Sequence, residues 1–380
     1  MQLIHNETES MLADSARKFF TTNSPLSRLR ELRDRDDATG FSRELWEQMA
    51  ELGWTGLLLP EEHEGMEMGL SALCVILEQA GRALAPEPFL STVLLSSPLL
   101  ERAGSPEQQR AWLPAIARGE KIIALAHHER GGRHARHRVT TAATPSDDGF
   151  RVTGRKDQVI DGHVADALLI TARSPDDPSQ LSLFLVDPEA PGVTITRQRR
   201  IDERNVAIVE LQDVALPRAA LVGEAGQAAA LMDPVLDRAT IGLCAEMLGS
   251  MTRAFEDTVA YLKERKQFGV AIGTFQALKH RAARLYMELT LARSVVVAAA
   301  RVADEDARDD ARVAAMASLC KARCSDTFIH VANEGVQMFG GVGMTDEYDI
   351  GMFLKRARVA EQTLGDAAWH RDRWARLTGY

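Results

Sequence analysis

Between residues 121 and 225 the chain stops placing apolar side chains at helical intervals. Short strand-like runs replace them at 167–171, 181–186, 193–196 and 206–211, bounded by Gly-, Pro- and Asp-rich stretches at 174–179 and 187–192. That pattern predicts an antiparallel sheet or small barrel. On both sides the spacing returns to three and four. Trp46, Met49 and Leu52, then Leu73, Ile76, Leu77 and Ala80, recur before it. Cys244, Leu248, Met251, Phe255, Val259 and Leu262 form one apolar face after it. Further helices are predicted over 274–303 and 311–338, with a charged break at 304–310. Pro60, Pro86 and Pro106 punctuate the first block, and Ser105-Pro106 reads as an N-cap followed by Pro at the first helical position. The predicted organisation is therefore mostly α with a central β domain: an N-terminal helical domain over 1–120, a β domain over 121–225 and a C-terminal helical bundle over 226–380.

Bulk properties narrow the function classes. A chain of 380 residues buries a sizeable core without covalent staples. Cys74, Cys244, Cys320 and Cys324 are too few and too irregular for a disulfide framework, which points to a reducing, cytoplasmic compartment. Cys320 and Cys324, four apart on a predicted helix, read as small core residues, and no metal site is expected. Acids and bases appear early in the chain, so no signal peptide is expected. No apolar run reaches the roughly 20 residues that span a bilayer. A net charge of −9 argues against nucleic acid as a partner.

Two stretches carry chemistry. Residues 261–276 read Y-L-K-E-R-K-Q-F-G-V-A-I-G-T-F-Q. A helix ending in this basic turn can set Arg265 against a phosphate while Gln267 and Phe268 meet a flat ring. The same residues also describe an ordinary helix C-terminus, where cations suit the dipole and Gly suits the cap. Residues 337–349 read Q-M-F-G-G-V-G-M-T-D-E-Y-D. Gly340, Gly341 and Gly343 allow close backbone approach, so their amides can face a pyrophosphate, or they mark only a tight turn.

Together, in this order, the two stretches resemble the hallmark pair of the acyl-CoA dehydrogenase family. Residues 56–65, G-L-L-L-P-E-E-H-E-G, and 149–162, G-F-R-V-T-G-R-K-D-Q-V-I-D-G, extend the resemblance over nearly the whole chain. Residues 85–93, A-P-E-P-F-L-S-T-V, and 159–167 are similar to small subunits of two-component enzymes such as pimeloyl-CoA dehydrogenase. The resemblance implies that the C-terminal part is a four-helix bundle. It implies FAD, an acyl-CoA substrate, α,β-dehydrogenation and electron transfer to an electron-transferring flavoprotein. It places Arg265 at the FAD pyrophosphate, Gln267, Phe268, Ile272 and Phe275 at the adenine end, and Gln337, Gly340 and Gly341 beside them. In the family these groups reach a neighbour's FAD, so a homodimer, a homotetramer or an α2β2 assembly is implied.

Three departures from the family pattern follow. The position of the commonest catalytic carboxylate is Leu364, ahead of Gly365-Asp366. An alternative base position corresponds to Asp237, which also reads as a helix-surface acid, with Arg238 beside it as a substrate contact. The flavin-facing loop reads His128-Glu129-Arg130-Gly131-Gly132-Arg133-His134, within four His and four Arg from His127 to Arg138. This run is a solvated basic loop, a site for CoA phosphate or an acidic acyl tail, or a metal site through His134 and His137. The Trp-x-Thr near the flavin ring becomes Gln158-Val159-Ile160, leaving His128 and the Ile160 backbone as cofactor contacts.

Three functions remain open: a dehydrogenase using Asp237, a binding subunit that lends Arg265, Gln267 and Phe268 to a partner's FAD, and a flavin monooxygenase on the same fold.

Overall fold

The structure, a computed structural model, describes residues 4–305 and 309–380. The first helices are α1 (Glu7–Asn23), α2 (Leu26–Asp34), α3 (Arg43–Glu51), α4 (Gly69–Arg82), α5 (Ser97–Ala103) and α6 (Pro106–Ala117). Strands follow: β1 (Ile123–Ala126), β2 (Ala142–Ser146), β3 (Gly149–Ile160), β4 (Ala167–Arg173), β5 (Leu181–Val186), β6 (Val193–Gln198), β7 (Val206–Pro217) and β8 (Leu221–Val222). Then come α7 (Ala228–Glu264), a hairpin of β9 (Lys266–Gln267) and β10 (Val270–Ala271), α8 (Gln276–Glu305), α9 (Asp310–Phe339), α10 (Ile350–Gln362) and α11 (Ala367–Thr378). Helices, sheet and helices thus follow one another as the periodicity predicts. The break predicted at 304–310 has its centre, 306–308, outside the described residues, while Asp304 and Glu305 still belong to α8. Among the described residues no helix is long and apolar enough to cross a membrane.

The chain divides into two compact units, one of Leu32–Gly69 and Pro86–Ala239, the other of Met1–Glu31, Leu70–Ala85 and Thr240–Tyr380. In the first unit the sheet runs β6-β7-β3-β2-β4-β5-β8, with β1 paired to β4. Most ladders are antiparallel as predicted, but β1 lies parallel to β4, from Ile123 opposite Ala167 to Ala126 opposite Ile170. β3 pairs along β7 with irregularities between Val152 and Gly154 and between Lys156 and Val159. A π-helical segment, Phe89–Ser96, buries all its residues beside this sheet. Its Thr92 Oγ1 meets the Ile123 backbone at 3.2–3.3 Å, and Phe89 packs edge-on against Trp46 at 5.0 Å.

In the second unit α8, α10 and α11 pack around α9, whose Val313, Ala317, Cys320, Cys324 and Phe328 are fully buried. α4 crosses α7 at two glycines. A Cβ at Gly81 would lie 1.9 Å from the Glu246 carbonyl oxygen, and one at Gly249 would lie 1.8 Å from that of Glu78. The helices therefore touch backbone to backbone, and Ser250 Oγ donates to the Gly81 carbonyl at 2.8 Å. Alanine normally improves a helix interior by about 1 kcal/mol over glycine. Here we expect the reverse: Gly249→Ala should destabilise the fold by at least ~1–3 kcal/mol in urea unfolding, because the clash is with backbone that cannot rotate away.

Candidate active site

The basic turn after α7 is a two-residue β-hairpin. Gln267 pairs with Val270 and Lys266 with Ala271, leaving Phe268 and Gly269 as the turn. Both turn residues have positive φ, 53° and 78°. Gly adopts this conformation without strain, but an aromatic residue there costs about 1–2 kcal/mol. Phe268 is nevertheless 92% exposed, its ring edge-on to Phe275 at 6.2 Å between ring centres. Arg265 and Gln267 are also exposed. Ile272 is half-buried, and its N–H donates to the Arg265 carbonyl at 2.8 Å, closing the base of the hairpin.

The glycine turn at the end of α9 belongs to the same unit. Gly340 has φ 71°, and a Cβ at Gly340 or Gly341 would meet nothing within 4 Å. Gly343 differs: it is buried, and its Cβ would lie 2.6 Å from the Val336 carbonyl oxygen. Gly340 and Gly341 are thus open to an incoming group, whereas Gly343 serves packing. Tyr261 joins hairpin and turn. Its ring stacks on Phe339 at 4.2 Å, meets Tyr348 edge-on at 5.7 Å, and its hydroxyl donates to the Phe339 carbonyl at 3.3 Å. Arg30 holds the far side of the turn through Asp349 at 2.8 Å and Asp346 at 2.9 Å. The two motifs read separately in sequence are therefore one structural feature, and Gln337 is exposed beside it.

In the other unit Asp237 is buried on α7, its side chain 3% exposed. Arg136 Nη2 donates to its Oδ1 at 2.8 Å, and Arg136 Nη1 reaches Asp233 Oδ1 at 3.3 Å. His137 Nε2 meets the same Asp233 oxygen at 3.1 Å. Asp233 is buried enough to raise its carboxyl, yet His137 and Arg136 hold it below the usual range. Arg238 turns back along its helix to the Pro234 carbonyl at 3.3 Å.

The basic loop is closed at both ends by one carboxylate. Glu129 accepts from Thr140 N at 2.6 Å, from Thr141 N at 3.0 Å and Oγ1 at 2.6 Å, and from Lys156 Nζ at 2.6 Å, with a further short bond from Thr140 Oγ1. Burial alone would raise this carboxyl, but the Lys156 ammonium and the threonine donors outweigh it and hold Glu129 at about 2. Burial pushes Lys156 down to about 8 against the opposing pull of Glu129. Sequence reading took residues 127–138 as a run of charge, but the structure sorts it. Glu129 pins the loop, Arg136 and His137 turn to α7, and Arg130, Arg133 and Arg138 are exposed. His127 is driven down to about 3 by burial and is neutral. His128 donates through Nε2 to the Arg133 carbonyl at 2.9 Å, leaving its Nδ1 buried with no hydrogen-bond partner. Ile160 ends β3 and pairs with Val206, two residues beyond Gln158, which takes φ 53° at the strand irregularity.

At the position of the commonest base, Leu364 has φ 58° and its carbonyl accepts from His370 Nε2 at 3.0 Å. Lys321, fully buried on α9, donates to the Gly365 carbonyl at 2.7 Å. Asp366 accepts from Trp369 N at 2.8 Å as the N-cap of α11. The turn is a packed helix connection in which the nearby acid is a cap.

Family models of the acyl-CoA dehydrogenase N-terminal, middle and C-terminal domains match residues 6–120, 124–214 and 226–378. Acyl-CoA dehydrogenase FadE12 of Mycobacterium tuberculosis is 30% identical over 325 residues, covering 83% of each chain. The chain belongs to the acyl-CoA dehydrogenase family. It has the fold of that family and is an oxidoreductase acting on acyl-CoA, with FAD as cofactor. Among solved structures it is similar to the ChsE4–ChsE5 complex of Mycobacterium tuberculosis, at 27% identity and TM-score 0.88 over 100% of both chains. It is similar also to the Tcur3481–Tcur3483 steroid ACAD, at 30% identity and TM-score 0.86 over 98% of both. The residues present fit FAD. The exposed Arg265 guanidinium and open Gly340–Gly341 backbone suit a pyrophosphate, Phe268 offers a flat face, and His128 Nδ1 is a polar atom lacking a partner.

Two outcomes are expected for this member of the family. Arg136→Met, by removing one charged partner of a buried ion pair, should cost about 3–5 kcal/mol in urea unfolding, and adding Asp237→Asn should recover part of it. Glu129 is depressed on folding, so its contribution is present above its ordinary value of 4.5 and lost as pH falls from there toward about 2. That contribution is ~3 kcal/mol, and the stability gap between the natural protein and Glu129→Gln should shrink by about 2 kcal/mol on acidification from neutral pH to about 3, the remainder being lost only below about 2.

Proposed function

We propose that the chain is one subunit of an oligomeric FAD-dependent dehydrogenase that introduces an α,β double bond into an acyl-CoA thioester. The observation that carries this reading is the Phe268–Gly269 turn. A strained aromatic residue, 92% exposed beside an exposed arginine, makes little contact within its own fold. It suits a surface completed by a neighbour, with Arg265 binding the neighbour's pyrophosphate and Gln267, Phe268, Ile272 and Phe275 flanking its adenine. Gln337, Gly340 and Gly341 extend that contact. His128 and the Ile160 backbone face the flavin ring of the chain's own site.

Asp237 is the group that takes the α-proton. Arg136 Nη2, 2.8 Å from its Oδ1, holds the carboxyl in one orientation, and burial keeps bulk water from it. A bound FAD would supply the acceptor for the hydride leaving the β-carbon, and an electron-transferring flavoprotein would take on the electrons. Arg238 lies at the next position to meet the substrate. The cytoplasm is the compartment that the four free cysteines suit.

A second reading is favoured by the same ion pair. If Arg136 never releases Asp237, the chain is a binding subunit that lends its hairpin to a catalytic partner. A solved relative, ChsE4–ChsE5, is itself a complex of two named chains.

The deciding experiment is anaerobic mixing of purified protein with a series of acyl-CoA thioesters, read as bleaching of the flavin absorbance. We expect bleaching by at least one thioester. Asp237→Asn should slow it by about 10²–10⁴-fold with FAD content unchanged. Undiminished bleaching in Asp237→Asn would remove Asp237 as the base. Absence of bleaching until a second dehydrogenase chain is added would favour the binding subunit.

A further inference from the structure

Three thiols converge in the helical unit, on residues the proposed chemistry does not use. Cys244 comes from α7, and Cys320 and Cys324 lie one turn apart on α9. Their sulfur atoms all lie within 4.8 Å of one another, and all three residues are fully buried. A single buried cysteine is an ordinary small core residue. Three meeting at one point, with a buried ammonium between two of them in sequence, is more than packing requires. Lys321 is fully buried and donates to Ser325 Oγ at 3.1 Å and to the Glu361 and Gly365 carbonyls at 2.9 and 2.7 Å.

We propose that Cys244, Cys320 and Cys324 form a three-thiolate site for one soft, thiophilic divalent cation. The donor set selects the metal class. Thiolates favour soft ions, and three sulfurs with no further Cys, His, Asp or Glu in the cluster among the described residues fall short of the four ligands of structural zinc. On binding, each thiol gives up a proton to solvent, three metal–sulfur bonds form, and no group changes oxidation state. Lys321 supplies the charge balance. Three thiolates, one divalent cation and one ammonium sum to zero, so the filled site places no net charge in the core. Because the sulfurs are sealed from solvent, entry requires α7 and α9 to part. Loading should be slow on the native chain and fast when the full chain refolds in the presence of metal.

Cd2+ is the probe. The full-length reduced protein is refolded with and without Cd2+ and freed of excess ion. We expect one equivalent retained, a thiolate-to-metal charge-transfer absorption, and a midpoint of thermal unfolding that rises with Cd2+ concentration. Cys244→Ser, Cys320→Ala and Cys324→Ala should each abolish the absorption, and Cys74→Ser should keep it. Should a variant fail to fold, X-ray absorption at the cadmium edge of the natural protein decides instead, with three sulfur neighbours expected. Retention of no cadmium, a shell of oxygen or nitrogen, or an absorption that survives in folded Cys244→Ser would overturn the site.

Discussion

The buried Glu129–Lys156 pair is the contact on which the candidate catalytic geometry rests. Glu129 closes a loop on itself by taking the N–H and hydroxyl donors of Thr140 and Thr141 while β3 delivers Lys156 to the same carboxylate. The four arginines of that loop, Arg130, Arg133, Arg136 and Arg138, would otherwise repel one another into solvent. Closed in this way, it presents Arg136 to Asp237 at 2.8 Å. A structural acid thus helps place the arginine that meets the acid proposed for chemistry. The pair satisfies its own polar atoms, which is the condition under which a buried ion pair is tolerated.

The second constraint is backbone contact between helices. Gly81 and Gly249 bring α4 and α7 together with no side chain between them. From that fixed point α7 runs on to Tyr261, whose stack on Phe339 carries the hairpin and the glycine turn as one piece. The exposed strain at Phe268 is then understandable. The turn is braced from behind at Tyr261 and closed at its base by Ile272, so it holds an unfavourable conformation without local burial.

Much of this was legible in the sequence. α8 and α9 were read to within two residues, because long helices with one apolar face repeat their signal many times. β4 to β7 were read because their apolar runs are short and bounded by turn residues. β1 to β3 were not. β1 is four residues long, and β3 carries Arg151, Arg155, Lys156 and Asp157, with its buried lysine standing where an apolar residue would mark a strand. The basic run hid the difference between Glu129 and its neighbours, since a pinning carboxylate and a solvated one look alike until the threonines are brought to it. Leu364 was read as the loss of a base. The structure adds what stands in that place: a left-handed turn held by His370 and Lys321, with Asp366 committed as a cap. Neither His370 nor Lys321 had a signal in the sequence, because each acts on backbone carbonyls.

The proposed cofactor surface at 265–276 works on another protomer. The most direct measurement is sedimentation of the purified protein followed at the flavin absorbance, across a dilution series and beside Arg265→Ala. The account predicts that flavin travels only with oligomer and is released as the oligomer dissociates, and that Arg265→Ala weakens flavin retention while leaving assembly intact. Monomer that carries a full complement of flavin, unaffected by Arg265→Ala, would contradict it.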